Sequence, residues 1–510
     1  MKTRWVKQFS FRSLVVAVSL GLYACAVGPD YQTPKLPVPQ KFVTSGDFDS
    51  GAPLLTWWQV FGDENLTALI VRAINGANLD MQSASARIRE ARAELGVAGA
   101  AQLPTFTASA QVSRDRFSRN SELLANLPFP NPLLQFTDYR AGFDASWELD
   151  VFGHVRRTVE AADARLQGAQ ANLQDVRIAV AAEVARTYIA LRQTEAQISL
   201  TEADLVLLQE SVRLIQLRFD AGNANELEVH RTEAAMQAQL ALIAALYADK
   251  GATTDALGVL VGATPAEVAG LLKSGLTVPS IRSERVAVGL PSELLRRRPD
   301  VRRAERDLAA ATADIGVATA ELYPRFALVG NFGTDSIHPG EFGQRASRTW
   351  SLAPQVSLPI FGRGRLTSEV SAREAVRDTT LATYQKAVLQ ALSDVETAMI
   401  RYDRAWARMH ALEQAATQLN ANASLVRREF EEGRSSRIEL LDAERQARQA
   451  EEQRVDAAGS LDIQLVALYK ALGGGWGESE SGLGQTDERD DLARSATSGN
   501  VNSVVMSHQP

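Results

Sequence analysis

Glu94-Leu-Gly-Val-Ala-Gly-Ala-Ala-Gln-Leu-Pro104-Thr-Phe106 occurs a second time, lightly altered, as Asp314-Ile-Gly-Val-Ala-Thr-Ala-Glu-Leu-Tyr-Pro324-Arg-Phe326. Further along, Glu148-Leu-Asp-Val-Phe-Gly153 returns as Ser357-Leu-Pro-Ile-Phe-Gly362. Phe219-Asp-Ala-Gly222, before Leu227-Glu228-Val229, returns as Phe430-Glu-Glu-Gly433, before Ile438-Glu439-Leu440. The three pairs keep their order at separations of about 210 to 220 residues, which chance similarity does not do. The chain is therefore a tandem duplication. The first repeat covers 61–264 and the second 291–475, and Pro265, Pro279 and Pro291 mark a connector over 265–290.

Each repeat reads as a helix, two strands and two very long helices. In the second repeat Leu381, Tyr384, Val388, Ala391, Val395, Ala398, Tyr402, Ala405, Met409, Leu412, Ala416, Leu419, Ala423, Val426 and Phe430 alternate spacings of three and four. That is the seam of a coiled coil. The first repeat carries the same seam from Val155 through Leu166, Leu173 and Val184 to Ile198, Leu208 and Phe219, and no proline interrupts either run. The long helices are expected over about 154–221, 225–260, 366–432 and 436–472. Some 65 helical residues extend roughly 100 Å, and these are too polar to cross lipid.

The strand segments have a period of two. Tyr139, Ala141, Phe143, Ala145, Trp147, Leu149 and Val151 alternate with polar residues, as do Trp350, Leu352, Pro354, Val356, Leu358 and Ile360. Strands are expected over about 104–116, 138–152, 325–334 and 349–361. One apolar and one polar face suits a membrane β-barrel with a wet lumen, and equally a half-buried soluble sheet. Enormous helices offer little to cover a soluble sheet. Four strands cannot close around a lumen, so the barrel reading requires several chains.

Hydrophobic residues make up 45% of the 510 and aromatics only 6%, a mixture that favours long helices. The formal charge of −7 gives no nucleic-acid footprint. Lys2, Arg4, Lys7 and Arg12 precede an apolar run, Leu14 to Leu22, then Tyr23-Ala24-Cys25. This is a secretory leader over 1–24, and its removal takes the charge to about −11. Cys25 is the single cysteine, so no intrachain disulfide forms. Leu22-Tyr-Ala-Cys25 resembles a bacterial lipobox, which implies lipidation of Cys25 and anchoring to membrane lipid. Residues 25–60 are expected to form an extended linker and 476–510 a disordered tail.

Cys25-Ala-Val-Gly-Pro-Asp-Tyr31, Trp57-Trp-Gln-Val-Phe-Gly-Asp63, Leu290-Pro-Ser-Glu-Leu-Leu-Arg-Arg-Arg-Pro-Asp300 and Glu432-Gly-Arg-Ser-Ser-Arg-Ile-Glu-Leu-Leu-Asp-Ala-Glu-Arg445 together resemble the outer membrane factor family. These are the TolC-like channels, and the likeness is strongest to their lipoprotein branch. The resemblance spans about 25–475. It implies a mainly α protomer with four strands, a homotrimer sharing a twelve-stranded outer-membrane barrel, and a coiled-coil tunnel across the periplasm. It also implies a periplasmic adaptor and an inner-membrane pump of the RND type as partners. The number three rests on the resemblance alone.

A duct needs a gate. Gly222 and Gly433 read as the points where each long helix pair reverses. The resemblance puts Glu439 and Asp442 on positions that place carboxylates at the periplasmic aperture. It puts Ile438 and Arg445 on the apolar-gate and arginine positions, and Glu228 on the acidic position of the first repeat, which links to the second. A ring of Asp442 carboxylates attracts cations, and Arg445, three residues on, stands close enough to hold it. The arginine some members carry two residues after the glycine is Ser435 here.

His154, His230, His338, His410 and His508 are scattered, with no metal-ligand spacing. Gly473-Gly-Gly475-Trp-Gly477 has no preceding strand and no following lysine, so it is not a phosphate loop. The Arg296-Arg-Arg298 triplet reads as helix surface. No enzymatic constellation and no cofactor site emerge. The reading is a passive export conduit for small molecules. Its rivals are a duct for type I protein secretion and a lipid-anchored coiled-coil scaffold.

Overall fold

The computed structural model describes residues 26–118, 135–272, 279 and 286–474, apart from positions 38, 45–47, 50, 52, 53 and 55. The leader, Cys25 and the tail 476–510 lie outside the described residues. Helices α1 (Glu64–Arg72) and α2 (Leu79–Ala100) lead into strands β1 (Thr105–Arg116) and β2 (Gln135–Leu149). Helices α3 (His154–Asp220) and α4 (Glu226–Val261) complete the first repeat. Short helices α5 (Pro265–Leu271) and α6 (Pro291–Arg297) border the connector. The second repeat supplies α7 (Pro299–Ala320), β3 (Arg325–Ser336), β4 (Arg348–Ser357), α8 (Arg363–Glu431) and α9 (Arg437–Ala471). Among the described residues no helix is long and apolar enough to cross a membrane.

The chain divides into two compact units. One comprises residues through Pro37, Ser83–Gln174 and Asp300–Leu389, and contains the strands. Its sheet has the order β1-β2-β3-β4 with every pair antiparallel. Register puts like against like. Ala108, Phe143, Phe332 and Trp350 form one cross-strand row, and Thr107, Asp144, Asn331 and Ser351 form the next. The apolar row faces outward bare, with Phe332 57% and Trp350 76% exposed. β1 and β4 each have one neighbour, so both edges of the sheet are open.

Two strands stop earlier than their alternation suggests. β2 ends at Leu149 rather than near 152, because Asp150 turns to cap α3. Its carboxylate accepts from the amides of Val155 at 3.0 Å and Arg156 at 2.8 Å. β4 ends at Ser357 rather than 361, two residues before Pro359, which has no amide to continue the ladder.

The start of the described chain is seated in the same unit. The Val27 amide donates to Phe152 O at 3.0 Å, and Arg157 on α3 donates to Val27 O and to Asp30 Oδ1 at 2.7 Å. The Tyr31 hydroxyl donates to Glu305 on α7 at 3.1 Å, with the Arg306 guanidinium over its ring. Gly28 has φ +89° and lies directly on Gly316 of α7, a contact that a Cβ on Gly28 would obstruct at 2.5 Å. The Ala26–Tyr31 motif thus closes a junction between the two repeats.

The other unit holds Val38–Gln82, Asp175–Pro299 and the chain from Gln390 on. Trp57 and Trp58, expected to be linker, are core: both are buried, and Trp57 stacks on Tyr469 with centroids 5.6 Å apart. Asp63 caps α1 through the amides of Asn65 and Leu66 and accepts the Tyr188 hydroxyl at 2.8 Å. All fifteen seam residues from Leu381 to Phe430 are buried or half-buried. Polar contacts fix the helix order in this unit. Arg408 on α8 pairs with Asp456 on α9 at 2.9 Å, and Asp456 accepts from Gln193 on α3 at 2.8 Å. Glu195 and Glu202 on α3 meet Lys250 and Tyr247 on α4. The order is α8-α9-α3-α4, which leaves α8 and α4 on the outside.

Asp462 on α9 is 2% exposed, and its Oδ2 has no hydrogen-bond partner. Burial pushes its carboxyl up to about 8. Between its ordinary value near 3.8 and about 8, the folded chain keeps a proton that the unfolded chain releases, so stability falls as pH rises through that window. Asp462→Asn mimics the protonated acid. Melting temperatures at pH 5 and pH 8.5 should therefore differ less in the variant than in the wild type. An unchanged difference would clear Asp462 of the effect.

Candidate gate at the helix reversals

The two reversals are built alike. After α3, Gly222 takes φ +75° and its amide donates to Phe219 O at 2.9 Å, while the Asn223 amide reaches back to Arg218 O at 2.7 Å. After α8, Gly433 takes φ +76°, its amide donates to Phe430 O at 2.9 Å, and Arg434 reaches back to Glu429 O at 2.7 Å. A left-handed residue is required at both, and glycine supplies it without steric cost. The next helix then begins on a cap: Asn225 before α4 and Ser436 before α9.

Two of the three acidic candidates bond to these caps. Glu439 completes a capping box, accepting from the Ser436 amide at 2.7 Å and the Ser435 hydroxyl at 2.9 Å. Those bonds, the backbone one first, hold its carboxyl below the usual range. Ser435, standing where the family arginine would be, therefore serves the cap. Glu228 accepts from Asn225 Nδ2 at 3.4 Å within its own reversal, instead of the expected link to the second repeat. Ile438 is half-buried and Asp442 exposed, one and two turns into α9. Arg437 lies over the Phe430 ring at 5.7 Å.

Arg445 departs from expectation. Its Nε donates to Asp204 Oδ1 on α3 at 3.2 Å, not to Asp442. The Asp204 side chain is only 3% exposed, and a carboxylate buried without a cation is costly. The nearest arginine is accordingly drawn into the α9–α3 seam. Glu452, one turn beyond Arg448, lies 3.3 Å from the Thr201 hydroxyl in the same seam. Burial raises its carboxyl and the Asp204 charge adds to that, against a lowering by the Thr201 bond.

A family model described as outer membrane efflux protein matches residues 70–263 and again 290–474. Outer membrane protein OprJ of Pseudomonas aeruginosa is 31% identical over 476 residues, covering 93% of this chain and 97% of the relative. Solvent efflux pump outer membrane protein SrpC of Pseudomonas putida is 30% identical over 482 residues, covering 92% and 100%. The solved outer-membrane channel OprN superposes with a TM-score of 0.79 at 33% identity, over 89% of this chain and 100% of that one. The chain belongs to the outer membrane efflux protein family. This makes it an efflux channel component of the outer membrane, with the fold of solved channels, and not an enzyme.

In this outer membrane efflux protein the residues that sequence reasoning missed are Thr201, Asp204 and Glu452. The signal was present. Ile198, Thr201, Asp204, Leu208, Ser211 and Ile215 are all buried, and their spacings of three and four follow the seam. Reading only the apolar residues shifts the track to Leu205 and Val212, which are merely half-buried.

Proposed function

We propose that three copies of this chain form a duct through which small molecules leave the cell. Each copy gives four strands to a closed twelve-stranded barrel and four long helices to a periplasmic tunnel. The observation that carries this reading is the sheet itself, with an apolar row bare on one face, polar residues on the other and both edges unpaired. In lipid every backbone group must find a partner, so such edges require further copies. The α8-α9-α3-α4 order, with its outer helices free on one side, supports the same closure in the tunnel. Lipid on Cys25 anchors each copy to the outer membrane.

The chain is a passive conduit, so energy comes from an inner-membrane pump of the RND type reached through a periplasmic adaptor. Cargo is a small molecule of the drug, solvent or metal classes, in line with relatives named for solvent and cation efflux. The reversals form the periplasmic gate, with Ile438 and Asp442 at the constriction and Arg445 behind them. SDS-resistant, heat-modifiable trimers in the outer-membrane fraction are expected, and monomers in detergent would overturn the duct. Asp442→Ala combined with Arg445→Ala should raise single-channel conductance in planar bilayers. Unchanged conductance would remove these residues from the gate.

A further inference from the structure

Charge is sorted across the sheet at its hairpin end, the end away from the helices. Asp115, Asp138 and Asp335 share the polar face, where Arg140 reaches both Asp138 and Asp335 at 3.0 Å. The outer face carries the opposite sign. Register puts Arg114 of β1 and Arg348 of β4 on it, in line with the apolar residues below them. Both are exposed, and among the described residues no carboxylate of the strands shares their face at this end. The outward positions of β2 and β3 here are Thr137, Tyr139, Thr334 and Ser336, all uncharged. Arg116, the last residue of β1, borders the cavity on the polar side with Ser113 and Asp115. The outward guanidinium groups therefore stand only on the two open edges of the sheet.

We propose that Arg348 of one copy and Arg114 of the next clamp the phosphate of an outer-leaflet lipid at each seam of the barrel. This rests on the closed trimeric barrel proposed above and adds what covers its seams. Arg114 stands eight residues from Phe106, and Arg348 eight from Val356. At about 3.4 Å per residue and a tilt near 40°, each lies roughly 20 Å up the wall. That is the rim of an apolar band about 25 Å tall, where lipid headgroups begin.

Barrel closure sets the two edge strands side by side, about 4.8 Å apart. Like charges on neighbouring strands repel, and an anion held between them turns that repulsion into attraction. A phosphate suits the place because each guanidinium can donate two parallel N–H bonds to its oxygens. Below the arginines, Trp350, Leu352 and Val112 are 76%, 65% and 67% exposed on the same face and form a strip for acyl chains. A soluble anion would use the arginines and leave the strip bare. A lipid with a phosphorylated headgroup uses both. Simple escape of the arginines to water, by contrast, gives no reason for them to avoid β2 and β3.

Native mass spectrometry of the full-length trimer in detergent counts the lipid it retains. The probe is diphosphoryl lipid A, compared with the same acylated disaccharide stripped of phosphate. Wild-type trimers should hold one phosphorylated molecule per seam and several-fold less of the stripped form. Arg114→Gln combined with Arg348→Gln should lose that preference, and Arg114→Lys with Arg348→Lys should keep part of it. Excess inorganic phosphate should leave the lipid in place; displacement would mark a free-anion site and overturn the lipid assignment. Equal retention of the two lipids by the wild type, or an unchanged preference in the glutamine variant, overturns the clamp. Should the glutamine variant not assemble, the wild-type comparison of the two lipids still decides. A wild type that never forms trimers would sink the underlying barrel instead.

Discussion

Arg298→Ala should cost the helical unit about 3–5 kcal/mol, the range for stripping a buried charge network of one member. Arg298 follows α6 and is 9% exposed. Its guanidinium donates to Asp394 Oδ2 at 3.0 Å, to Ala471 O at 3.2 Å and to Ala391 O at 3.4 Å. One side chain therefore ties α6 to the middle of α8 and to the last turn of α9. Gly473 and Gly474 make this possible by ending α9 with two residues at positive φ, the first within 3.4 Å of Arg298 for an added Cβ. Truncation takes the guanidinium from the Ala471 carbonyl and the cation from Asp394, which keeps only Gln390 Nε2 at 2.7 Å. Arg298→Lys should restore only part of the loss, because an ammonium cannot span the fork of acceptors. The dissociation temperature of SDS-resistant assemblies measures both. A shift of only a degree or two for Arg298→Ala would refute the staple.

Arg445→Ala should be the second severe substitution, again about 3–5 kcal/mol, because it leaves Asp204 charged and alone inside the α9–α3 seam. The double substitution Asp204→Leu with Arg445→Leu should recover most of that stability, since apolar residues of similar volume commonly replace a buried pair at little cost. The comparison separates two roles of the pair. If it also helps hold the gate shut, the stable double variant still conducts more than the wild type in planar bilayers. A double variant as unstable as Arg445→Ala alone would contradict the desolvation argument.

Much of this architecture is legible in the residues themselves. The seam from Leu381 to Phe430 is legible because one periodicity persists over a helix of 69 residues, and tertiary context has no occasion to override it. The strands are legible because Phe143 and Trp350 recur on one face at a period of two. Their ends are not, since Asp150 is captured by a helix cap that alternation does not describe. The reversals are legible from Gly222 and Gly433. The employment of Glu439 in a cap could have been read from Ser436-x-x-Glu439. Arg298 reads as surface because a basic triplet has no periodicity of its own. Its burial depends on where α8 and α9 pass. Arg445 was assigned to Asp442 by closeness in sequence, whereas its partner lies 241 positions away on another helix.

The seat of Gly28 on Gly316 has a practical corollary for anyone handling the molecule. With Ala26 packed at Gly153, a bulky label on Ala26 itself, or any side chain at Gly28, would have to pull the Arg157 and Glu305 contacts apart. Handles for purification or imaging belong elsewhere on the chain. The same geometry supplies a sensitive reporter: a probe at Ala26 senses whether the two repeats are correctly docked before any channel property is assayed.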